Sequence, residues 1–305
     1  MPGGPKRLLT AVLAVVATIA VLPGMAHAQG DPGTLSILVL GDSYSAGNGA
    51  GAYSGPATCR RSSANYARQF EQLVEATPGG TPTTVLNQAC SGAVTADITK
   101  GRGNRPAQLD AVDGNEDLIL LTIGGNDVGF SSVVASCLIV VTRDADACDA
   151  TLRKAERMIT DGTMKTRLTN VLTAIRAKAG PATRIVLLGY PYLEGDATYT
   201  VPSRRPTFAP VQAGKRVRAL SDAGDALGQQ VTAAVPNTTY VSVTKAFAGH
   251  ELSAARANPA RWLVAPFVDA PVSQVDLWYH PTKAGHAAYA KALFDDPRVP
   301  KTDVH

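Results

Sequence analysis

Ser43 stands where a serine can act as a nucleophile. The segment LSILVLGDSYSAG at 35–47 is a short apolar run that stops at Gly41-Asp42 and then presents a hydroxyl. Glycine permits backbone angles closed to other residues, so the turn can be sharp. The carboxyl end of a strand in an open α/β sheet is also where such sheets bind ligands. Alone, the turn reads equally well as a helix start capped by a serine. Other segments supply what acyl transfer needs besides a nucleophile. In DLILLTIGGND at 117–127 a second apolar run ends at Gly124-Gly125, and Asn126 follows. An asparagine amide can donate to a developing oxyanion, although Asn-Asp is also an ordinary turn pair after a strand. In QACSGAV at 88–94, Gly92 can aim its backbone N–H at the same oxygen.

A general base remains to be found among five histidines. His27 falls in an expected leader and His305 is the last residue, which leaves His250, His280 and His286. His280 precedes Pro281, whose fixed φ suits the first turn of a helix. That helix is predicted to run through Ala284, Ala287, Tyr289, Ala290 and Leu293. His280 would then lie on the loop before it, free to point into a site. His286 would lie inside the helix, where a structural hydrogen bond is the expected role.

Ser43, Gly92, Asn126 and His280, in this order, resemble the signature of the SGNH (GDSL-like) hydrolase superfamily, and more closely its secreted actinomycete lipases and esterases. The resemblance runs from about Ser36 to about Leu293. It implies a nucleophilic Ser43 and His280 as general acid/base. It also implies an oxyanion hole of the Ser43 and Gly92 N–H groups with the Asn126 amide. The implied fold is a flavodoxin-like three-layer α/β/α sandwich around a parallel sheet of about five strands, with no cofactor or metal. Many members place an aspartate three residues before the histidine. Here that position is Leu277, and Asp276 stands one residue earlier. On a turn, one residue changes the direction of a side chain. Either Asp276 or a nearby main-chain carbonyl is therefore expected to hold the imidazole tautomer.

The elements that must position these residues follow one theme. Apolar runs at 35–40, 84–88, 118–123, 184–189 and 239–243 read as strands, and their continuous Ile/Val/Leu character suits a parallel sheet covered on both faces. Helical patterns lie between them at 62–76, 150–160, 163–179 and 210–234. Such alternation implies one α/β domain. The stretch from Tyr190 to Pro210 is too long for a simple turn, and is either a cover over the site or a surface excursion.

Residues 1–28 read as a secretory leader: Lys6-Arg7, an apolar run from Leu8 to Leu22, and Ala26-His27-Ala28 as the cleavage site. The run is shorter than the ~20 residues of a membrane span, so a secreted protein of residues 29–305 without stable membrane insertion is expected. The leader carries two basic residues, so 27 Lys and Arg face 25 Asp and Glu beyond it. That balance, without a basic block, argues against nucleic acid as a partner. We expect a monomer.

Four cysteines in a secreted chain suggest two bridges, with three possible pairings. Cys137 and Cys148 are close in sequence and can close locally, which makes Cys59–Cys90 the companion. The secreted-lipase resemblance implies the same pairing, and Ser253 stands where some relatives carry a cysteine of a third bridge. The spacings do not suit a metal site.

The expected activity is therefore hydrolysis of a small-molecule or lipid carboxylic ester through a serine acyl-enzyme. Val128, Phe130, Val133 and Val134 can hold an acyl chain or be one face of a core helix. A polysaccharide O-deacetylase is the alternative within this chemistry, for which Tyr44, Tyr53, Trp278 and Tyr279 are the candidate sugar platforms. A non-catalytic secreted binding protein is the alternative of another class, which the retention of both Ser43 and His280 disfavours.

Overall fold

The computed structural model describes Met1, Gly4 and residues 33–205, 208–254 and 257–304. The expected leader, save Met1 and Gly4, lies outside the described residues. In chain order the elements are β1 (Leu35–Gly41), α1 (Ser43–Ala46), a short hairpin of β2 (Tyr53–Ser54) and β3 (Arg61–Ser62), α2 (Tyr66–Glu75), β4 (Thr83–Asn87), α3 (Thr95–Lys100) and β5 (Leu118–Thr122). There follow α4 (Phe130–Val133), α5 (Ala145–Thr160), α6 (Thr163–Lys178), β6 (Arg184–Leu188), α7 (Ala213–Ala233), β7 (Thr238–Val241) and α8 (Lys283–Asp295).

The five predicted strands are the five strands of one parallel sheet, in the order β4-β1-β5-β6-β7. Side chains alternate across a strand, so each apolar run feeds two cores. Ile37, Val39, Leu118, Leu120, Val186 and Leu188 face one core, which holds Phe70 of α2 and Leu293 of α8. Leu38, Leu40, Ile119, Leu121, Ile185 and Leu187 face the other, with Ile98 of α3, Leu168 of α6 and Val231 of α7. This is the expected three-layer α/β/α sandwich. The chain steps from β1 out to the edge at β4 and returns to β5 on the other side of β1. The carboxyl ends of β1, β4 and β5 thus meet at a switch point, where such sheets open a crevice.

Helix starts follow their capping residues rather than the apolar period. Asn65 accepts from Arg68 N–H at 2.9 Å, so the helix expected from 62 begins at Tyr66. Asp144 accepts from Ala147 N–H at 3.0 Å and extends the helix expected from 150 back to Ala145. Pro281 is not in the first turn of α8. Thr282 is the cap, and Pro281 bridges back to Leu263.

Both expected disulfides are present, Cys59–Cys90 and Cys137–Cys148. The first closes a 31-residue separation. It brings the chain after α1 against the loop after β4, where Ser91 N–H also donates to the Cys59 carbonyl at 3.1 Å. Chain-entropy reasoning gives such a closure about 3–4 kcal/mol.

Candidate functional site

Gly41 makes the first turn of the site possible. Its φ is +116°, and a Cβ there would lie 2.2 Å from the Thr122 carbonyl oxygen of β5. The chain can therefore press against β5 and turn at once into Asp42, which caps α1 by accepting from Tyr44 N–H at 3.0 Å. Ser43 is the first residue of that helix and is buried. Its hydroxyl shares a hydrogen bond with His280 Nε2 at 2.6 Å. Two groups 237 residues apart in sequence are thereby joined as a nucleophile–base pair requires.

His280 lies on a loop held from both sides. Its carbonyl accepts from Val264 N–H at 2.8 Å, and Tyr279 N–H donates to the Val264 carbonyl at 2.9 Å. Tyr279 adopts φ +62°, an uncommon conformation for a bulky residue. The Tyr44 hydroxyl holds the Tyr279 carbonyl at 2.7 Å, which ties the Ser43 helix to the histidine loop. Burial pushes the His280 pKa down to about 4, against the pull of the Leu277 and Trp278 carbonyls, while the nearby Arg60 charge lowers it further. The imidazole is therefore neutral at pH 7, the form that can accept a proton. Nδ1 faces those carbonyls without reaching full hydrogen-bond geometry with either.

Asp276 is not brought to His280. Its carboxylate pairs with Arg60, and its main-chain carbonyl accepts from Asn48 Nδ2 at 3.2 Å. The other two described histidines lie apart from Ser43 as well. His286 is fully buried inside α8, with Nε2 on the Asn48 carbonyl at 3.2 Å and its pKa pushed down by burial to about 4. His250 stacks on Trp262, centroids 3.5 Å apart.

Gly92 and Asn126 close the other side. Gly92 has φ +74° in the turn after β4. Cys90 N–H donates to the Gly41 carbonyl at 3.0 Å and so ties that turn to the turn before Ser43. Among the described residues, the N–H groups of Ser43 and Gly92 meet no acceptor. Asn126 Nδ2 donates one hydrogen to the Ala93 carbonyl at 2.9 Å, which fixes the amide and leaves a second hydrogen for another acceptor.

Asp42 and Tyr190 carry more of the site than their sequence context suggested. The Asp42 carboxylate is buried, receives the Thr122 hydroxyl at 2.7 Å and the Tyr190 hydroxyl, and has its pKa raised by burial to about 6. The Tyr190 oxygen in turn accepts from Gly125 N–H at 3.3 Å. One buried carboxylate thus links the Ser43 turn to the backbone beside Asn126. The partners are 148 residues apart, and no local pattern announces them.

Beside this constellation lies an apolar cavity of about 130 Å³. Gly125, Val128, Phe130, Val133, Tyr190 and Leu193 are in its wall. Phe130 also stands 5.5 Å from the His280 ring, centroid to centroid, so one wall of the cavity borders the site, while Ser43, Gly92, Asn126 and His280 themselves are not in its lining. Val134, the fourth expected acyl contact, is core instead. The stretch after Tyr190 is tacked down, with Leu193, Tyr199 and Val201 buried and the Tyr199 hydroxyl on the Cys137 carbonyl at 2.9 Å. Of its described residues, Tyr190, Pro191 and Leu193 line the cavity. Of the candidate sugar platforms, Tyr44, Trp278 and Tyr279 are buried and only Tyr53 is exposed.

Comparison with known proteins gives the family. The model of the GDSL-like lipase/acylhydrolase family matches residues 39–288. A lipase of Streptomyces rimosus is 32% identical over 253 residues, 82% of each chain, and lipase 1 of Streptomyces coelicolor is 31% identical over 282 residues, 90% of this chain and 91% of the other. Among solved structures, an extracellular lipase from Streptomyces rimosus superposes with a TM-score of 0.66 at 31% identity. A phospholipase A1 from Streptomyces albidoflavus gives 0.66 at 28%, and each alignment covers 85% of this chain and 98% of the other. By that match and those identities, the chain belongs to the GDSL-like lipase/acylhydrolase family.

Proposed function

We propose that this carboxylic ester hydrolase is a secreted serine esterase or lipase acting on aliphatic esters through an acyl-enzyme on Ser43. The observation that carries the reading is the 2.6 Å hydrogen bond from the Ser43 hydroxyl to a neutral, buried His280. Ser43 Oγ attacks the ester carbonyl while His280 Nε2 takes its proton. The tetrahedral oxyanion is received by the Ser43 and Gly92 N–H groups and the free hydrogen of the Asn126 amide. His280 then gives its proton to the leaving alkoxide. Water, deprotonated by the same nitrogen, releases the acid. The Leu277 and Trp278 carbonyls stabilise the imidazolium formed in each half. Export rests on the expected leader at 1–28 and on the extracellular naming of a relative.

The oxyanion assignment has a direct test. Asn126→Ala should lower kcat by about 10²–10³ with a smaller change in KM, because the amide acts on the transition state. Steady-state kinetics on p-nitrophenyl butyrate measure it, and an unchanged kcat would reduce Asn126 to a turn residue.

The apolar cavity favours an alkyl acyl group over acetate. Each methylene it buries contributes about 0.8 kcal/mol, nearly fourfold in kcat/KM. Across p-nitrophenyl esters of rising chain length, octanoate should exceed acetate by more than about tenfold. An acetate optimum, or faster release of acetate from acetylated xylan than of octanoate from its ester, would turn the reading to a glycan deacetylase.

A further inference from the structure

We propose that an apolar rim around His280 docks this protein onto the surface of a neutral or zwitterionic lipid aggregate; this rests on the aliphatic-ester reading above. The exposed large apolar side chains of the described residues are unevenly placed. Val140, Val141, Phe267, Val268, Val272 and Val275 fall on two segments, and only Met1, Tyr53, Leu73 and Leu86 lie elsewhere. Val141 is 69% exposed and Val268 73%, which leaves them unpacked in the free protein.

Both segments are fastened to the histidine loop. The 264–277 segment holds it through the Val264 bonds to Tyr279 and His280. Trp278 Nε1 also donates to the Ala270 carbonyl at 2.9 Å, and Phe267 packs on Trp278 at 4.7 Å between centroids. The segment with Val140 and Val141 follows Leu138, whose carbonyl accepts from the Tyr279 hydroxyl at 3.4 Å. Phe267 is half exposed and adopts φ +62°, an uncommon and costly conformation for an aromatic residue. An apolar patch beside a site marks an interaction surface.

Charge selects the kind of surface. Neither 264–277 nor 138–142 contains a lysine or arginine. The two acids of the first segment are neutralised locally, Asp269 by Arg261 and Asp276 by Arg60. Arg143, the next residue after 138–142, is turned to the Tyr199 hydroxyl at 2.9 Å, and Arg60 and Arg261 are spent on Asp276 and Asp269. Such a rim has little with which to attract an anionic headgroup, and costs little to dehydrate against a neutral interface. A water-insoluble ester would then be met where it resides, with His280 next to the contact.

Dialkyl-ether phosphatidylcholine vesicles test the rim, because an ether lipid cannot be turned over by ester hydrolysis. Co-sedimentation should detect binding that persists in high salt. Val268→Ser with Val272→Ser, and Val140→Ser with Val141→Ser, should each weaken it about tenfold through lost apolar burial. Hydrolysis of soluble p-nitrophenyl acetate should stay within about twofold, as expected for surface changes that leave the fold intact. The control pair Leu73→Ser with Leu86→Ser, away from the rim, should change neither. The proposal is overturned by no vesicle binding, by equal losses in rim and control variants, or by binding that needs anionic lipid and disappears in salt. A rim substitution that converts a dimer to a monomer without altering vesicle affinity would overturn it in favour of self-association. Loss of soluble-ester hydrolysis by the unsubstituted protein would reject the esterase reading separately.

Discussion

Ser43→Ala will fold and will hydrolyse esters slower by roughly 10⁴–10⁶ in kcat, the range seen when a catalytic serine is removed. The fold should survive because, among the described residues, the Ser43 side chain has no hydrogen-bond partner other than His280. The turn itself is held by Gly41, the Asp42 cap and the Asp42 N–H bond to the Thr122 carbonyl at 3.0 Å. Removing a hydroxyl from such a place costs about 1 kcal/mol of stability. The catalytic loss should be far larger, since the oxyanion donors then have no tetrahedral adduct to receive. Burst and steady-state kinetics on p-nitrophenyl butyrate, with labelling by a fluorophosphonate, measure it. The unsubstituted protein should lose activity in step with covalent labelling, and the variant should not label. Turnover within about a hundredfold of the parent, far above the residue of a lost nucleophile, would remove Ser43 from the mechanism.

What could be read from the sequence divides along a physical line. The strands were legible because both faces of the sheet are covered, so β5 is apolar at every position from Leu118 to Leu121. Ser43, Asn126 and His280 were legible because each stands next to an abrupt change of backbone, at Gly41, Gly125 and Pro281. The partner of His280 was not, because one residue of register on an irregular turn decides which way Asp276 points, and Arg60 competes for it from the chain beside the Cys59 bridge. Asp42 looked like part of a motif and proved to be the buried acceptor for Thr122 and Tyr190. Tyr190 was legible only as the start of a long excursion, since its bond to Asp42 exists only once β1 and β6 share a sheet. Local pattern thus announces the candidate reacting groups, and long-range packing decides what orients them.

His280→Ala should likewise cost roughly 10⁴–10⁶ in kcat, while Asp276→Asn should cost less than about tenfold. The contrast follows from where each side chain is spent. His280 Nε2 is on the Ser43 hydroxyl, and its Nδ1 edge faces two main-chain carbonyls that substitution cannot remove. The Asp276 carboxylate is on Arg60, half exposed. His286→Ala should remain active, since that ring bonds the Asn48 carbonyl from inside α8. A pH profile adds a readout that a merely structural role would not move. The base works when neutral, and burial places its pKa near 4, so kcat/KM should fall as pH falls through about 4 rather than through the ordinary histidine value. Losing the Asp276 charge would leave Arg60 unneutralised beside the ring and move that limb lower. A separate step near pH 6 that vanishes in Asp42→Asn belongs to the Asp42 carboxylate. A loss beyond about a thousandfold in Asp276→Asn, with the fold intact by circular dichroism, approaches what amidating a triad aspartate costs. It would refute the Ser43–His280 dyad and establish Asp276 as its third member.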